Sequence, residues 1–287
     1  MALAGGAESM SNAPYLLPKV RDGLRMGHGV TQDHMFIDGL EDAYEKGTLM
    51  GVFAERCATD YQFTREAQDA YAIASLERAL AAEASGAFDA ELAQTDVVTR
   101  KATTEVKTDE QPRNARPDKI PQLKPAFAKD GTVTAANASS ISDGAAALIL
   151  TRASVAKAKG LSPIAKITGH TSHGVAPEKF PIAPIGAVEK LLAKTGTTLD
   201  DYGLFEVNEA FAVVAMAAMH SLGIPHDKVN VNGGACALGH PIGASGARIM
   251  VTLLHAMRAR NVQRGMAAIC IGGGEATAIG LELMEQT

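Results

Sequence analysis

The second half of the chain alternates short apolar runs with helical stretches that stop at single glycines. This alternation constrains the fold more than any other feature of the sequence. Ile164–Gly169 reads as a strand, Ile185–Thr195 as a helix ended by Gly196, Phe205–Val207 as a strand end, and Phe211–Leu222 as a helix closed by Gly223. Val229–Asn232, Met266–Ile271 and Thr277–Met284 read as further strands, with a long helix over Ser245–Arg260. Strands separated by helices imply βαβ units and a layered α/β fold.

The first half is less regular. Leu3-Ala4 runs straight into Gly5-Gly6, which fits either the end of a buried strand or a frayed terminus. Residues 14–48 are irregular. Thr64 caps a helix that runs to about Ala84 before Gly86 stops it, with an apolar stripe of Ala70, Ile73, Ala74, Leu80 and Ala81. Residues 90–130 are polar and carry prolines at 112, 117, 121 and 125, as expected of an excursion over a surface with a short strand near Asp96–Thr99. Asp143–Leu150 is an apolar run suited to a buried strand, and Ala153–Lys159 a short helix ending at Gly160, so a domain boundary near 160 is expected.

Composition narrows the function. A net charge of −5 argues against nucleic acid as a partner. No apolar run is long enough to span a membrane, and the first residues lack the charged and apolar regions of a signal peptide. Three cysteines make no disulfide framework, which fits a reducing, cytoplasmic setting.

Three segments carry chemistry, each at the end of an expected strand, where α/β folds place ligands. Asn208-Glu209 follows Phe205–Val207 and can be a helix cap with a first-turn acid, or an amide that orients a water. Asn232–Arg248 sets His240 among five glycines and before Pro241, a context that lets backbone approach a ligand and restrains the imidazole. It ends in no Gly-Lys-Ser/Thr and is no phosphate-binding P-loop. Cys270-Ile271-Gly272-Gly273-Gly274 places a thiol beside a glycine turn, either as a small buried hydrophobe or beside an anion-stabilising nest of N–H groups. Cys236, His240 and Cys270 lack the paired spacing of a zinc site, so no metal is expected; a protease-like Cys–His pair is a remaining alternative.

Taken together these segments resemble the thiolase family, and within it the acetyl-CoA acetyltransferase branch. The resemblance covers essentially the whole chain. Gly5–Pro14 (GGAESMSNAP), Met50-Gly51 with Ala54-Glu55, Gly131–Ser139 (GTVTAANAS) with Asp143-Gly144-Ala145, and the three C-terminal segments match the family's blocks in order. It implies the thiolase fold, a layered αβαβα core from two similar domains plus a loop domain. Residues 1–13 and 140–160 would be a remnant of the N-terminal core domain, 14–139 the loop domain covering CoA, and 161–287 the C-terminal domain.

The resemblance also implies the chemistry. Thiolases join two acyl-CoA molecules, or cleave a 3-ketoacyl-CoA with CoA, through an acyl-cysteine. Cys270 would be the acid/base that moves the α-proton. His240 and a water held by Asn208 would form one oxyanion site, and the Gly272 N–H would serve a second. Ser139 would lie along the pantetheine arm, Met50, Phe180 and Phe211 around the acyl group, and Arg113 at the nucleotide end. No cofactor is implied, coenzyme A being substrate and product. Acetyl-CoA, acetoacetyl-CoA and CoA are the expected partners, and the full-length protein would be a homodimer or homotetramer. Alternatives are a non-catalytic acyl-CoA binding fragment and a longer-chain degradative thiolase.

Two departures bear on activity. Leu49 stands where the family usually has His before Met-Gly. The family's nucleophile, in a Cys-Gly-Ser/Gly context N-terminal to Gly5-Gly6, has no counterpart among Cys57, Cys236 and Cys270. The resemblance therefore implies that roughly a hundred N-terminal residues are absent, a misassigned start being the simplest source. The polypeptide alone is then expected to be marginally stable and unable to condense acetyl-CoA.

Overall fold

The computed structural model describes residues 1–284. The last three residues of the expected C-terminal domain, 285–287, lie outside the described residues. In chain order the first half contains β1 (Ala2–Ser9), β2 (Tyr15–Leu16), β3 (Gln32–Asp33), α1 (Met50–Asp60), α2 (Arg65–Ala84), β4 (Thr95–Val98), β5 (Thr103–Val106), α3 (Glu110–Asn114), β6 (Asp143–Leu150) and α4 (Ala153–Ala158). The second half contains β7 (Ala165–Gly174), α5 (Ala183–Thr195), β8 (Leu204–Val207), α6 (Ala212–Leu222), α7 (Ala235–Leu238), α8 (Ile242–Ala259), β9 (Arg264–Ile271) and β10 (Glu275–Leu283).

A four-stranded sheet in the order β7-β10-β9-β8 forms the centre. Strands β8 and β9 are parallel, as a helical crossover requires, while β10 runs antiparallel to both of its neighbours. Helices cover both faces. Phe205 and Val207 of β8 join the cluster that includes Leu191 of α5 and Val213 of α6. Leu204 of the same strand joins Leu253 and Met257 of α8. All four residues of β8 are buried, as expected of a strand covered on both sides.

A second sheet is the antiparallel ribbon β1–β6, in register from Ala2 with Leu150 to Ser9 with Asp143. Asp143–Leu150 was expected as a buried strand, and Leu3-Ala4 as either the end of one or a frayed terminus. They instead alternate, with Leu3 78% and Ile149 69% exposed on the outward face. The inward face lies on α8 at very short range: a Cβ on Gly6 would stand 1.7 Å from the Gly243 carbonyl oxygen. The Glu8 carboxylate accepts from the Gly243 N–H at 3.1 Å, which ties this ribbon to the first turn of α8.

Two further expectations are corrected. Helix α2 has the predicted ends, with Thr64 Oγ1 accepting from Ala67 N and Gly86 at φ +73°. Its buried face, however, is Gln68, Asp69, Tyr71, Ala72, Ser75, Leu76, Ala79 and Ala82. Polar side chains sit inward because distant partners satisfy them: Gln68 donates to Thr132 at 2.8 Å and Asp69 accepts from Asn137 at 3.0 Å. Residues 229–232 form no strand, only a bridge between Val229 and Phe205. Asn230 turns into the left-handed region at φ +47°. Its side-chain amide then accepts from Val207 N and donates to Val207 O, both at 2.8 Å. One carboxamide thus stands in for the neighbouring strand at the edge of β8.

Candidate active site

Where α8, β9 and the segment around Ser139 meet, a cavity of about 500 Å³ opens among mostly apolar side chains. The turn before α8 delivers His240 to it. Gly239, at φ +89°, reverses the chain, and Pro241 then starts the helix. The His240 N–H donates to the Ser140 carbonyl at 3.3 Å, so the backbone on both sides of the imidazole is fixed.

The ring is held by two side chains. His240 Nδ1 lies 2.6 Å from Ser245 Oγ, one turn into α8. His240 Nε2 lies 3.3 Å from Asn208 Nδ2. Asn208 follows β8 directly, and its backbone N–H continues the sheet by donating to the Ala268 carbonyl at 3.0 Å. Asn208 Oδ1 is buried and accepts no hydrogen bond from the protein. Burial, then the Arg248 charge, lowers the imidazole pKa from 6.5 to about 4, so His240 is neutral near pH 7.

Cys270 reaches the same cavity from β9, one residue before that strand ends. Burial pushes its thiol up to about 12, its own backbone N–H acting the other way. Gly272, Gly273 and Gly274 then close the β9–β10 hairpin. Gly273 and Gly274 have φ +95° and +90°, a turn that side chains other than glycine resist. Gly272 borders the cavity, where a Cβ would meet Met50 Sδ at 3.4 Å.

The other expected residues divide. Met50, Ser139, Phe180 and Phe211 all line the cavity. The rings of Phe180 and Phe211 lie 6.4 Å apart in its wall. Ser139 Oγ donates to the Ala210 carbonyl at 2.9 Å, which occupies its proton and leaves its lone pairs for a ligand. Arg113 is not among the lining residues. Its guanidinium is paired with Glu83 on α2, so this cation is already neutralised at the surface. Cys236 and Cys57 are buried and do not line this cavity; burial raises both thiols, Cys57 to about 12.

Asn208-Glu209 caps no helix, because α6 begins only at Ala212 after Phe211. Glu209 is fully buried. It accepts from Tyr71 and Ser75 of α2 at 2.9 and 2.8 Å, from Asn230 at 2.8 Å, and from Cys236 N at 3.0 Å. The carboxylate thereby pins the segment that leads to His240. Sequence pattern marked Glu209 only as a first-turn acid and did not mark Ser245 or the cavity residues Phe127 and Ile242. That Ser245 is the one polar side chain in the apolar first turn of α8 is the signal that could have pointed to it.

The chain as a whole is similar to known proteins along nearly all of its length. Residues 1–154 match the family model "Thiolase, N-terminal domain" and residues 161–283 match "Thiolase, C-terminal domain". The chain is 51% identical over 282 residues to the acetyl-CoA acetyltransferase of Escherichia coli K12, covering 98% of this chain and 71% of that protein. The crystal structure of the Bacillus anthracis acetyl-CoA acetyltransferase superposes with a TM-score of 0.94 at 42% identity, covering 98% of this chain and 71% of that one. The Acat5 thiolase of Ascaris suum, solved in complex with coenzyme A, superposes with a TM-score of 0.91 at 45% identity, covering 99% and 72%.

Proposed function

This chain belongs to the thiolase family, a family of acyltransferases, and on that premise we propose that it binds acetyl-CoA and carries the half of the site that moves the α-proton. The observation that supports this reading is the Asn208–His240 pair beside a cavity that Cys270 and Gly272 also border. In condensation, the α C–H bond of one acetyl-CoA breaks and its proton passes to the Cys270 sulfur. A C–C bond forms to the carbonyl carbon of an acetyl group held as a cysteine thioester, and that C–S bond breaks. His240 and an Asn208-held water stabilise the enolate oxygen, and the Gly272 N–H the second oxyanion. The resting thiol of Cys270, protonated at pH 7, suits the reverse direction first, in which it protonates the departing enolate.

The two buried rings of Phe180 and Phe211 in the lining favour a short acyl group over a long one. The nucleophile is a separate matter. Neither Cys57 nor Cys236 lines the cavity, so within these 287 residues no second thiol is available to carry the acyl group. We therefore expect the 287-residue chain to bind acyl-CoA without condensing it. Cytoplasmic residence, and homodimer or homotetramer assembly of the full-length protein, belong to the same reading.

Calorimetric titration with acetyl-CoA, run beside an acetoacetyl-CoA thiolysis assay, tests both parts. Saturable binding that Phe180→Trp weakens at least tenfold, with no turnover above the uncatalysed rate, is the expected result. Absence of binding removes the acyl-CoA assignment. Rapid turnover removes the claim that the acyl-carrying thiol is missing.

A further inference from the structure

The hydroxyl of Ser245 has one proton and two neighbours. It donates to the Pro241 carbonyl at 2.9 Å, and it lies 2.6 Å from His240 Nδ1. A carbonyl oxygen accepts only, so the proton committed to Pro241 leaves Ser245 Oγ to accept from the ring. At the opposite edge of the imidazole, Nε2 faces an amide N–H of Asn208 at 3.3 Å. One side of the ring thus faces an acceptor and the other a donor. Ser245 is wholly buried, so no competing solvent contact reorients its hydroxyl.

We propose that Ser245 is a positioning residue that fixes the tautomer of His240, holding the proton on Nδ1 and presenting an unprotonated Nε2 to the cavity. This goes beyond the proposed function and rests on it only for its catalytic consequence. An imidazole in this state cannot begin by donating to an oxyanion; it begins as a proton acceptor. When a proton donor enters the cavity and gives up its proton, the donor's bond to hydrogen breaks and an N–H bond forms at Nε2. The ring then carries both protons, with the Nδ1 N–H stabilised by Ser245 Oγ and, through it, by the Pro241 carbonyl. Only from that state does Nε2 donate to a thioester oxygen. A hydroxyl on the far side of the ring thus sets which nitrogen carries the proton at rest.

Nitrogen-15 NMR of the histidine-labelled chain at pH 7 tests this without substrate or turnover, so the result is independent of the acyl-CoA reading. The His240 signals are assigned by their loss in His240→Gln. The expected wild-type spectrum has a protonated, pyrrole-type Nδ1 and an unprotonated, pyridine-type Nε2. Ser245→Ala is expected to shift the population towards protonated Nε2, and Ser245→Thr, which keeps a hydroxyl, to restore the wild-type pattern. A wild-type ring protonated at Nε2 overturns the proposal even if neither variant folds. So does a Ser245→Ala spectrum identical to wild type.

Discussion

Glu206 and Glu209 stand three residues apart, and both carboxylates are buried, yet the two surroundings work in opposite ways. Glu209, past the end of β8, meets four hydrogen-bond donors drawn from α2, the Asn230 turn and the start of α7. Glu206, within β8, has a cation instead of donors: the Arg248 guanidinium lies 3.6 Å away, an ion pair longer than a hydrogen bond. Burial outweighs that charge and raises the Glu206 pKa to about 8. Glu91 and Asp109, on the loops packed over the same guanidinium, are raised for the same reason, Glu91 to about 7. A buried carboxylate is thus a rivet where several donors converge on it, and a proton reservoir where few or none do.

Removing the rivet should have the largest effect. Glu209→Ala strands four donors in a closed interior and lets the segment leading to His240 move relative to α2. We expect a loss of about 3–5 kcal/mol, read as a lowered urea midpoint. Acetyl-CoA affinity should fall with it, since Asn208 and His240 sit on the two segments Glu209 joins. A variant within 1 kcal/mol of wild type, a margin of about the net worth of one hydrogen bond, would mean that the donors find other partners.

The reservoir should respond to pH instead. Folded Glu206 keeps its proton to about pH 8, whereas an unperturbed glutamic acid loses it near 4.5. Between those values the folded state binds more protons than the unfolded one. This contribution to stability is therefore full below the lower value and is lost as pH rises through the upper one. Glu206→Gln, neutral at every pH, should flatten the decline in stability between pH 5.5 and 8.5 and be more stable than wild type at the upper end. Urea unfolding across that range checks the sign. Glu91 acts in the same direction, so some slope remains in the variant.

This contrast also explains what the sequence made legible. Helix ends follow from local chemistry, and Thr64, Gly196 and Gly223 marked them within a few residues. The residues that converge near the cavity, Asn208, His240, Cys270 and Gly272, were visible because glycine turns after apolar strands are local patterns too. The inward face of α2 was not legible. Its polar residues are buried by partners 64 to 138 positions away, and periodicity carries no information about such pairs. Residues 229–232 misled for a related reason: an alternating, strand-like Val-Asn-Val-Asn run was overruled by one asparagine whose side chain does the work of a strand. Arg113 was a cation with no visible partner in sequence, and Glu83 supplied one in space.

Ser75 sharpens the comparison at its smallest scale. Its hydroxyl donates to Glu209 Oε2 at 2.8 Å and accepts from Gly234 N at 3.0 Å, so it links α2 to the carboxylate and to the turn before α7. Ser75→Ala removes one of four donors to Glu209 and leaves the Gly234 N–H without its acceptor. The expected cost is about 1–3 kcal/mol, below that of Glu209→Ala, because three donors still hold the carboxylate. In a double-mutant cycle with Glu209→Ala, the Ser75 effect should shrink to the part owed to Gly234. If the two losses simply add, Ser75 acts through helix packing, and the carboxylate is held by Tyr71, Asn230 and the backbone alone.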